Sequence, residues 1–251
     1  MKDLIRAYAK HLRLPYINQN IEHHLEQAKI ENLSHEEFLF ILLQHEKDLR
    51  AQNGVLSRIR TAKFPYPKYL EELHVDALPE QAQVRFSTLS SLDFIAKKQN
   101  IILAGNPGTG KTHLAIGLGI RACQEGYHTY FAHVPNLIIE LKEAKNERML
   151  QKLKTKFRKY DLIILDELGY ISFDKEGAEL LFNFISDRCE KASTIFTTNL
   201  PFDRWNEIFH DTVITAAIVD RITHKSYVIN MSGTSYRLQE SREFLKEESI
   251  K

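Results

Sequence analysis

The sequence lacks several features that would place it in a specialised class of protein. Its 251 residues include two cysteines, Cys123 and Cys189, too few for a disulfide framework or a cysteine-ligated zinc site. The histidines, His133 among them, match no zinc-ligand spacing, and we interpret them as structural. The longest unbroken apolar run, Phe38–Leu43, is far shorter than the roughly 18 residues that a membrane span needs. No apolar signal core follows the charged start, so we expect a soluble, cytoplasmic protein without a membrane partner.

An excess of charge of one sign is also missing from the chain as a whole. Lys and Arg number 34 against 33 Asp and Glu, which gives a formal net charge of +1. The hydrophobic fraction of 43% and the charged fraction of 27% are typical of globular proteins and exclude disordered and fibrous classes. The balance does not exclude nucleic acid as a partner, because the distribution of charge decides such binding.

Residues 1–60 are predicted to form a small helical domain. Leu4, Tyr8 and Leu12 recur at helical spacing, and Ser34–Glu37 matches the S-x-x-E capping box that opens a helix. The nine basic and eight acidic residues of this segment nearly cancel, which is not typical of a DNA-binding arm. We interpret the segment as a docking or oligomerisation domain, with a plain structural cap as the alternative.

The remainder of the chain is predicted to be an α/β domain. Residues 61–85 contain Pro65, Pro67 and Pro79 and are interpreted as a connector. Residues 86–251 alternate short apolar runs with helix-length segments, a pattern that favours a parallel sheet flanked by helices. The predicted strands are Ile101–Ala104, Thr129–Ala132, Leu162–Leu165, Thr194–Thr197 and Tyr227–Ile229.

A glycine-rich segment between the first predicted strand and a helix matches the Walker A pattern G-x-x-x-x-G-K-[ST]. Its glycines allow successive backbone N–H groups to point at phosphate oxygens, and the following helix N-terminus attracts anions. Lys111 is expected to reach the β- and γ-phosphates of ATP, and the Thr112 hydroxyl to bind Mg²⁺. The predicted ATP contacts are Gly105, Asn106, Pro107, Gly108, Thr109, Gly110, Lys111, Thr112 and His113.

Two carboxylates, Asp166 and Glu167, follow the predicted strand Leu162–Leu165, as in a Walker B motif. Ligands of parallel sheets gather at the carboxyl ends of the strands, so this pair is expected beside the phosphate loop. Asp166 is predicted to hold Mg²⁺, and Glu167 to polarise the water that attacks the γ-phosphate. The second carboxylate favours hydrolysis over transfer to a small acceptor.

The order of these motifs resembles that of AAA+ ATPases. Within that class the chain resembles the IstB-type helper ATPases of bacterial insertion sequences, relatives of the bacterial replicative helicase loaders. The resemblance covers residues 60–240 and implies a P-loop AAA+ domain that binds ATP and Mg²⁺. It rests on the segments Gly105–Ala115, Leu162–Tyr170, Thr194–Trp205, Ala216–His224 and Gly233–Arg237.

The resemblance implies roles for three further residues. Asn199 matches the sensor 1 position, which orients the attacking water, and Arg221 matches the arginine finger that enters a neighbouring subunit's site. Arg237 matches a sensor 2-like arginine that contacts ATP. Too few residues follow Met231 for a full C-terminal lid, so we expect the domain to lack one. The trans-acting finger implies a homo-oligomer, either a ring or a helical filament.

Each of the first two assignments has a structural alternative. Asn199 is also typical of a turn before Pro201. Arg221 is also typical of a helix-end arginine, paired with Asp220 or with a carbonyl of the last turn.

One segment of the chain is strongly basic. Between residues 142 and 159, only Glu143 and Glu147 oppose eight cations, and Leu150, Leu153 and Phe157 recur at helical spacing beneath them. Such a face suits the phosphate backbone of DNA, and a solvated helix face is the alternative. We call these eight residues the basic stripe: Lys142, Lys145, Arg148, Lys152, Lys154, Lys156, Arg158 and Lys159.

Together the motifs and the resemblance predict an ATP-dependent, DNA-binding ATPase. We expect it to assemble on double-stranded target DNA and to assist a partner transposase in moving an insertion sequence. The alternative within the same class is a helicase loader that acts on single-stranded DNA. A small-molecule kinase and a non-catalytic DNA-binding protein are the alternatives from other classes.

Overall fold

The structure is a computed structural model that describes residues 1–170, 172–238 and 241. The chain forms two compact units, Met1–Ser57 and Arg58–Lys251. The division falls within a helix, near the predicted end of the helical domain. None of the helices in the described part of the chain has the length and apolar character that crossing a membrane requires.

The first unit is helical and contains α1 (Lys2–His11), α2 (Pro15–Ile30) and most of α3 (His35–Thr61). Pro15 takes the first position of α2, where a helix does not need the backbone N–H that proline lacks. The predicted capping box opens α3. The Glu37 N–H donates to Ser34 Oγ (3.2 Å), and the Ser34 N–H donates to the Glu37 carboxylate (2.9 Å). The buried core of this unit consists of Ala9, Ile17, Ile21 and Leu42.

A sheet of five parallel strands lies at the centre of the described second unit. The strands match the predicted apolar runs and are β1 (Asn100–Ala104), β2 (Thr129–His133), β3 (Leu162–Leu168), β4 (Ser193–Thr198) and β5 (Ser226–Asn230). Their order in the sheet is β2-β3-β4-β1-β5. This arrangement confirms the predicted α/β class.

Helices cover both faces of this sheet, which explains why its strands are continuously apolar. Ile101 and Leu103 of β1 face one hydrophobic cluster and Ile102 faces the other, because side chains alternate along a strand. The first cluster also contains α4 (Glu80–Ser90), α5 (Asp93–Ala96) and α6 (Lys111–Gln124). The second contains α7 (Val134–Asn146), α8 (Leu150–Phe157), α9 (Lys175–Arg188), α10 (Asn206–Phe209) and α11 (Thr212–Thr223).

The interpretation of residues 61–85 as a connector was wrong. This segment belongs to the second compact unit and forms two short 3₁₀ helices, Leu70–Glu72 and Val75–Ala77. The Leu70 side chain lies against Gly117 of α6, where an added Cβ would come within 2.6 Å of Leu70. The missing side chain on α6 thus leaves room for the segment to pack on the core.

After β5 the described chain returns to the glycine-rich loop. The Tyr236 N–H donates to Gly108 O (3.0 Å), and Ser235 lies against Gly108. The predicted absence of a full C-terminal lid concerns a segment that lies largely outside the described residues.

Candidate active site

The glycine-rich loop connects β1 to the N-terminus of α6. Gly108 and Gly110 have φ angles of +79° and +87°, in the left-handed region that favours glycine. An added Cβ at Gly108 would lie 2.2 Å from Ser235 Oγ, so a side chain here would also force Ser235 to move. The loop leads directly into Lys111, the first residue of α6. The N-terminus of such a helix has free backbone N–H groups that attract anions.

The Lys111 ammonium lies across this loop. It donates to Gly105 O (2.8 Å) and to Asn106 O (2.6 Å). Burial lowers the pKa of Lys111 to about 8, although the charges of Asp166 and Glu167 oppose that shift. A phosphate oxygen would offer this cation a stronger, charge-assisted hydrogen bond than the two carbonyls do.

Asp166 is buried at the end of β3 and joins three elements. Its Oδ1 accepts hydrogen bonds from Thr112 Oγ1 on α6 (2.9 Å) and from Thr197 Oγ1 on β4 (2.6 Å). The structure thus brings the two predicted metal ligands, Thr112 and Asp166, into direct contact. Hydroxyl and carboxylate oxygens form the hard donor set that suits Mg²⁺.

Glu167 follows in a strained conformation. Its φ of +60° is unusual for a residue with a side chain, and the pairing of β3 with β4 shifts register between Leu165 and Leu168. The Glu167 N–H donates to Thr197 Oγ1 (2.9 Å). A regular strand would send consecutive side chains to opposite faces, so this bulge explains how Asp166 and Glu167 come together.

His133, which we interpreted as structural, belongs to this cluster. It ends β2 and pairs in register with Asp166, and its Nε2 lies 3.3 Å from Glu167 Oε2. Ligand atoms of His133, Asp166 and Glu167 all lie within 4.8 Å of one another. The signal in the sequence is that His133 directly follows the predicted strand Thr129–Ala132, as the two carboxylates follow the predicted strand Leu162–Leu165.

A cavity of about 430 Å³ opens beside the loop and collects most of the predicted residues. Asn199 lies in its wall, and the amide oxygen of Asn199 is buried without a hydrogen-bond partner among the described residues. Gly105, Asn106 and Asp166 are not among the residues that line the cavity. The predicted residues that line the cavity are Pro107, Gly108, Thr109, Gly110, Lys111, Thr112, His113, Glu167, Asn199 and Arg237.

A second wall of the cavity consists of residues that were not predicted from the sequence to be part of the site. It comes from the segment interpreted as a connector and from the residue before Arg237, and it contains Tyr66, Lys68, Glu72, His74 and Tyr236. The rings of His74 and Tyr236 stack at 5.9 Å, and His113 Nε2 lies 3.2 Å from Tyr69 O. The signal available in the sequence was the presence of aromatic residues, such as Tyr66, among the prolines of this segment.

Arg221 does not line this cavity. It lies near the end of α11, where its guanidinium carbon is 4.6 Å from the centre of the Phe182 ring and one N–H donates to Ala217 O (3.2 Å). Within one chain, the structure therefore does not bring Arg221 to the other predicted catalytic residues.

The basic stripe divides between two helices. Lys142 and Lys145 lie on α7, the chain turns at Arg148 (φ +60°), and α8 carries the next residues of the stripe. Four of its lysines form ion pairs with carboxylates that lie outside residues 142–159, so the charge count of this segment did not include them. These pairs are Lys142–Asp174 (2.6 Å), Lys145–Glu176 (2.6 Å), Lys154–Asp187 (3.0 Å) and Lys156–Glu140 (3.3 Å).

The parallel sheet, the phosphate loop and the paired carboxylates together define an AAA+ ATPase. The comparison with protein families gives the particular group: the chain belongs to the family of IstB-like ATP binding proteins, whose model matches residues 7–244. An ATP-binding protein of insertion sequence IS5376 from Geobacillus stearothermophilus is 39% identical over 251 residues, covering 100% of this chain and 99% of that protein. A corresponding protein of IS21 from Pseudomonas aeruginosa is 39% identical, covering 92% and 87%.

Solved structures show the same fold. The crystal structure of DnaI matches with a TM-score of 0.56 and 21% identity, over 65% of this chain and 90% of that one. The DnaC helicase loader matches with a TM-score of 0.51 and 21% identity, over 72% and 98%. Membership in a family of insertion-sequence ATP-binding proteins supports an ATPase that helps transposition.

Proposed function

We propose that this ATPase assembles in its ATP-bound form on double-stranded DNA and presents that DNA to a partner transposase. The observation that carries the proposal is the convergence of Lys111, Glu167 and Asn199 on one cavity, in a chain of the IstB-like family. Hydrolysis would then take the assembly apart.

The residues of the cavity receive the following roles in this proposal. Residues 105–113 bind the phosphates through backbone N–H groups and Lys111. Thr112 and Asp166 hold Mg²⁺, since their oxygens are already in contact and suit that ion. When bound, Mg²⁺ neutralises charge that develops on the phosphates.

Glu167 serves as the base that accepts a proton from the attacking water. The carboxylate lines the cavity and is fixed by its bulge, while Asn199 offers its unpartnered amide oxygen to orient the same water. Arg237 lines the same cavity and contacts the nucleotide. Arg221 enters the site of a neighbouring subunit, which makes the active form a homo-oligomer.

The basic stripe is the proposed DNA surface, and its exposed cations without a carboxylate partner carry most of the argument. Arg148, Lys152, Arg158 and Lys159 are exposed and form no ion pair within the described part of the chain. Three of them, Lys152, Arg158 and Lys159, lie in α8 or directly after it. They keep full charge for DNA phosphates, whereas the four paired lysines are partly neutralised.

Charge reversal at these three positions tests the surface. In the triple variant Lys152→Glu, Arg158→Glu, Lys159→Glu, we expect weaker DNA binding and a shallower salt dependence. The slope of log K against log salt should fall by about 0.9 for each lost phosphate contact. The measurement is DNA affinity by fluorescence anisotropy at several salt concentrations.

The matched control is the triple variant Arg60→Glu, Lys98→Glu, Lys191→Glu, which changes net charge equally at exposed positions outside the stripe that form no ion pair among the described residues. Its salt slope should equal that of the wild type. Equal slopes for all three proteins would refute the DNA surface.

The first unit is the proposed docking domain for neighbouring subunits or the transposase. Leu4 and Tyr8 of α1 and Leu12, which directly follows this helix, are 54%, 65% and 63% exposed. They lie about one helical turn apart and form an apolar face. The variant Leu4→Ser, Tyr8→Ser, Leu12→Ser should lose assembly or transposase stimulation in the experiment that follows. Retention of both would refute this role.

Electron microscopy of the Glu167→Gln variant tests the function as a whole. The variant should retain ATP and form regular ATP-dependent assemblies on duplex DNA, which the wild type would dismantle by hydrolysis. Assembly on single-stranded DNA alone would favour a helicase loader. Monomers on both kinds of DNA would refute the oligomeric mechanism and favour a kinase.

A further inference from the structure

Arg221 differs from two exposed arginines of its unit, Arg121 and Arg204, in the group that its guanidinium contacts. Arg121 pairs with Glu125 (3.5 Å), and Arg204 forms two hydrogen bonds with Glu207 (2.8 Å each). Within the described residues, Arg221 has no carboxylate at ion-pair distance, not even from the adjacent Asp220. Its guanidinium instead lies on an aromatic ring.

The ring belongs to Phe182, which α9 presents to α11 from a half-buried position. The guanidinium carbon is 4.6 Å from the ring centre, and one N–H donates to Ala217 O one turn earlier in α11. The Sγ of Cys189 donates to the Arg221 carbonyl at 3.6 Å, which ties the same residue to the end of α9. Contacts from both helices therefore fix side chain and backbone together.

This arrangement suits an arginine that must reach a phosphate outside its own chain. A ring face attracts the cation without neutralising it, and it leaves N–H groups at the edge of the guanidinium for a bidentate contact. A long side chain loses much rotamer freedom when it binds, and a ring that already orients it reduces that cost. A carboxylate in the same place would compete with the phosphate for the same donors.

We propose that Phe182 is a positioning residue that orients Arg221 for the nucleotide bound by the neighbouring subunit. The proposal rests on the trans role of Arg221 given above. Phe182 touches neither substrate nor metal, so its contribution passes through the arginine alone.

Mixed assemblies on duplex DNA test this proposal with the full-length chain. Glu167→Gln subunits keep Arg221 but cannot hydrolyse ATP at their own site, so they serve as the arginine donor. Arg221→Ala subunits keep an intact ATP site but lack the arginine, so they serve as the recipient. Mixing the two should restore turnover, because one subunit supplies the arginine and the other the site. Phe182→Leu is then added either to the arginine donor or to the recipient, and kcat and KM for ATP are measured.

In the donor, Phe182→Leu should lower the restored kcat about fivefold with KM unchanged, the size expected from losing one exposed cation–π contact. In the recipient, the same change reports only lost packing and should cost less. Phe182→Tyr in the donor keeps the ring and should retain the restored kcat. Phe202→Leu in the donor is the matched control, since Phe202 is another half-buried ring, packed edge-to-face against Trp205 with the ring centres 5.1 Å apart. It should leave kcat unchanged.

An equal loss with Phe182→Leu in donor and recipient would assign Phe182 a packing role and overturn the proposal. No loss in either position would overturn it too, while the trans role of Arg221 would stand. Failure of the two parent variants to restore turnover would overturn the trans role itself, and the positioning role with it.

Discussion

Replacement of Arg221 by alanine is expected to lower DNA-stimulated ATP turnover by about 10³- to 10⁵-fold, the range over which arginine fingers act. In the proposed mechanism the guanidinium stabilises the charge of the transferring phosphoryl group, so its removal should lower kcat. Affinity of the single subunit for ATP should stay the same, because Arg221 does not line the cavity of its own chain. Steady-state turnover and a titration with fluorescent ATP measure the two quantities.

Arg204→Ala is the control for this prediction. Arg204 is exposed and bound to Glu207, so its loss removes one positive charge without touching the proposed interface chemistry. Turnover should remain at the wild-type level. A loss of ATP affinity in Arg221→Ala would contradict the trans assignment and place the arginine in its own subunit's site.

Replacement of Glu167 by glutamine is expected to lower turnover by about 10²- to 10⁴-fold, the usual contribution of a general base. The amide cannot accept the proton of the attacking water. ATP binding should persist, since the phosphate loop and the pair of Thr112 and Asp166 are unchanged. Single-turnover hydrolysis and equilibrium ATP binding, each measured with duplex DNA present, test both parts.

Glu72→Gln supplies the control, because Glu72 also lines the cavity but hydrogen-bonds to the Tyr69 N–H in the second wall. This variant should retain hydrolysis. If Glu72→Gln lost hydrolysis while Glu167→Gln retained it, Glu72 would be the general base and our assignment of Glu167 would be refuted.

The sheet and the phosphate loop could be predicted because both are local patterns. Each predicted strand is recognised from a run of a few apolar residues, and the phosphate loop from the glycine spacing within residues 105–112. Helices packed on both faces of the sheet then follow from the absence of polar alternation in the runs.

The rest of the site depends on contacts that no local pattern encodes. The left-handed backbone of Glu167 and its closeness to His133 arise from a shift between two strands. The ion pairs of the basic stripe involve residues such as Asp174 and Asp187, which follow the stripe in the chain and lie outside any local pattern that includes it. Residues 61–85 were misread because prolines are typical of linkers and of packed irregular segments alike.

The strand order has a consequence for how the protein is made. β1, which leads into the phosphate loop, pairs with β4 and β5 and not with β2, the next strand to be synthesised. Asn100 Oδ1 accepts the N–H of Thr194, 94 positions later, and Gly105 N–H donates to Thr198 O. During translation, β1 therefore cannot pair with β4 or β5 until most of the chain has been synthesised. We expect the nucleotide site to form only after β4 and β5 have been synthesised. An incomplete chain should therefore bind neither ATP nor, in an ATP-dependent way, DNA.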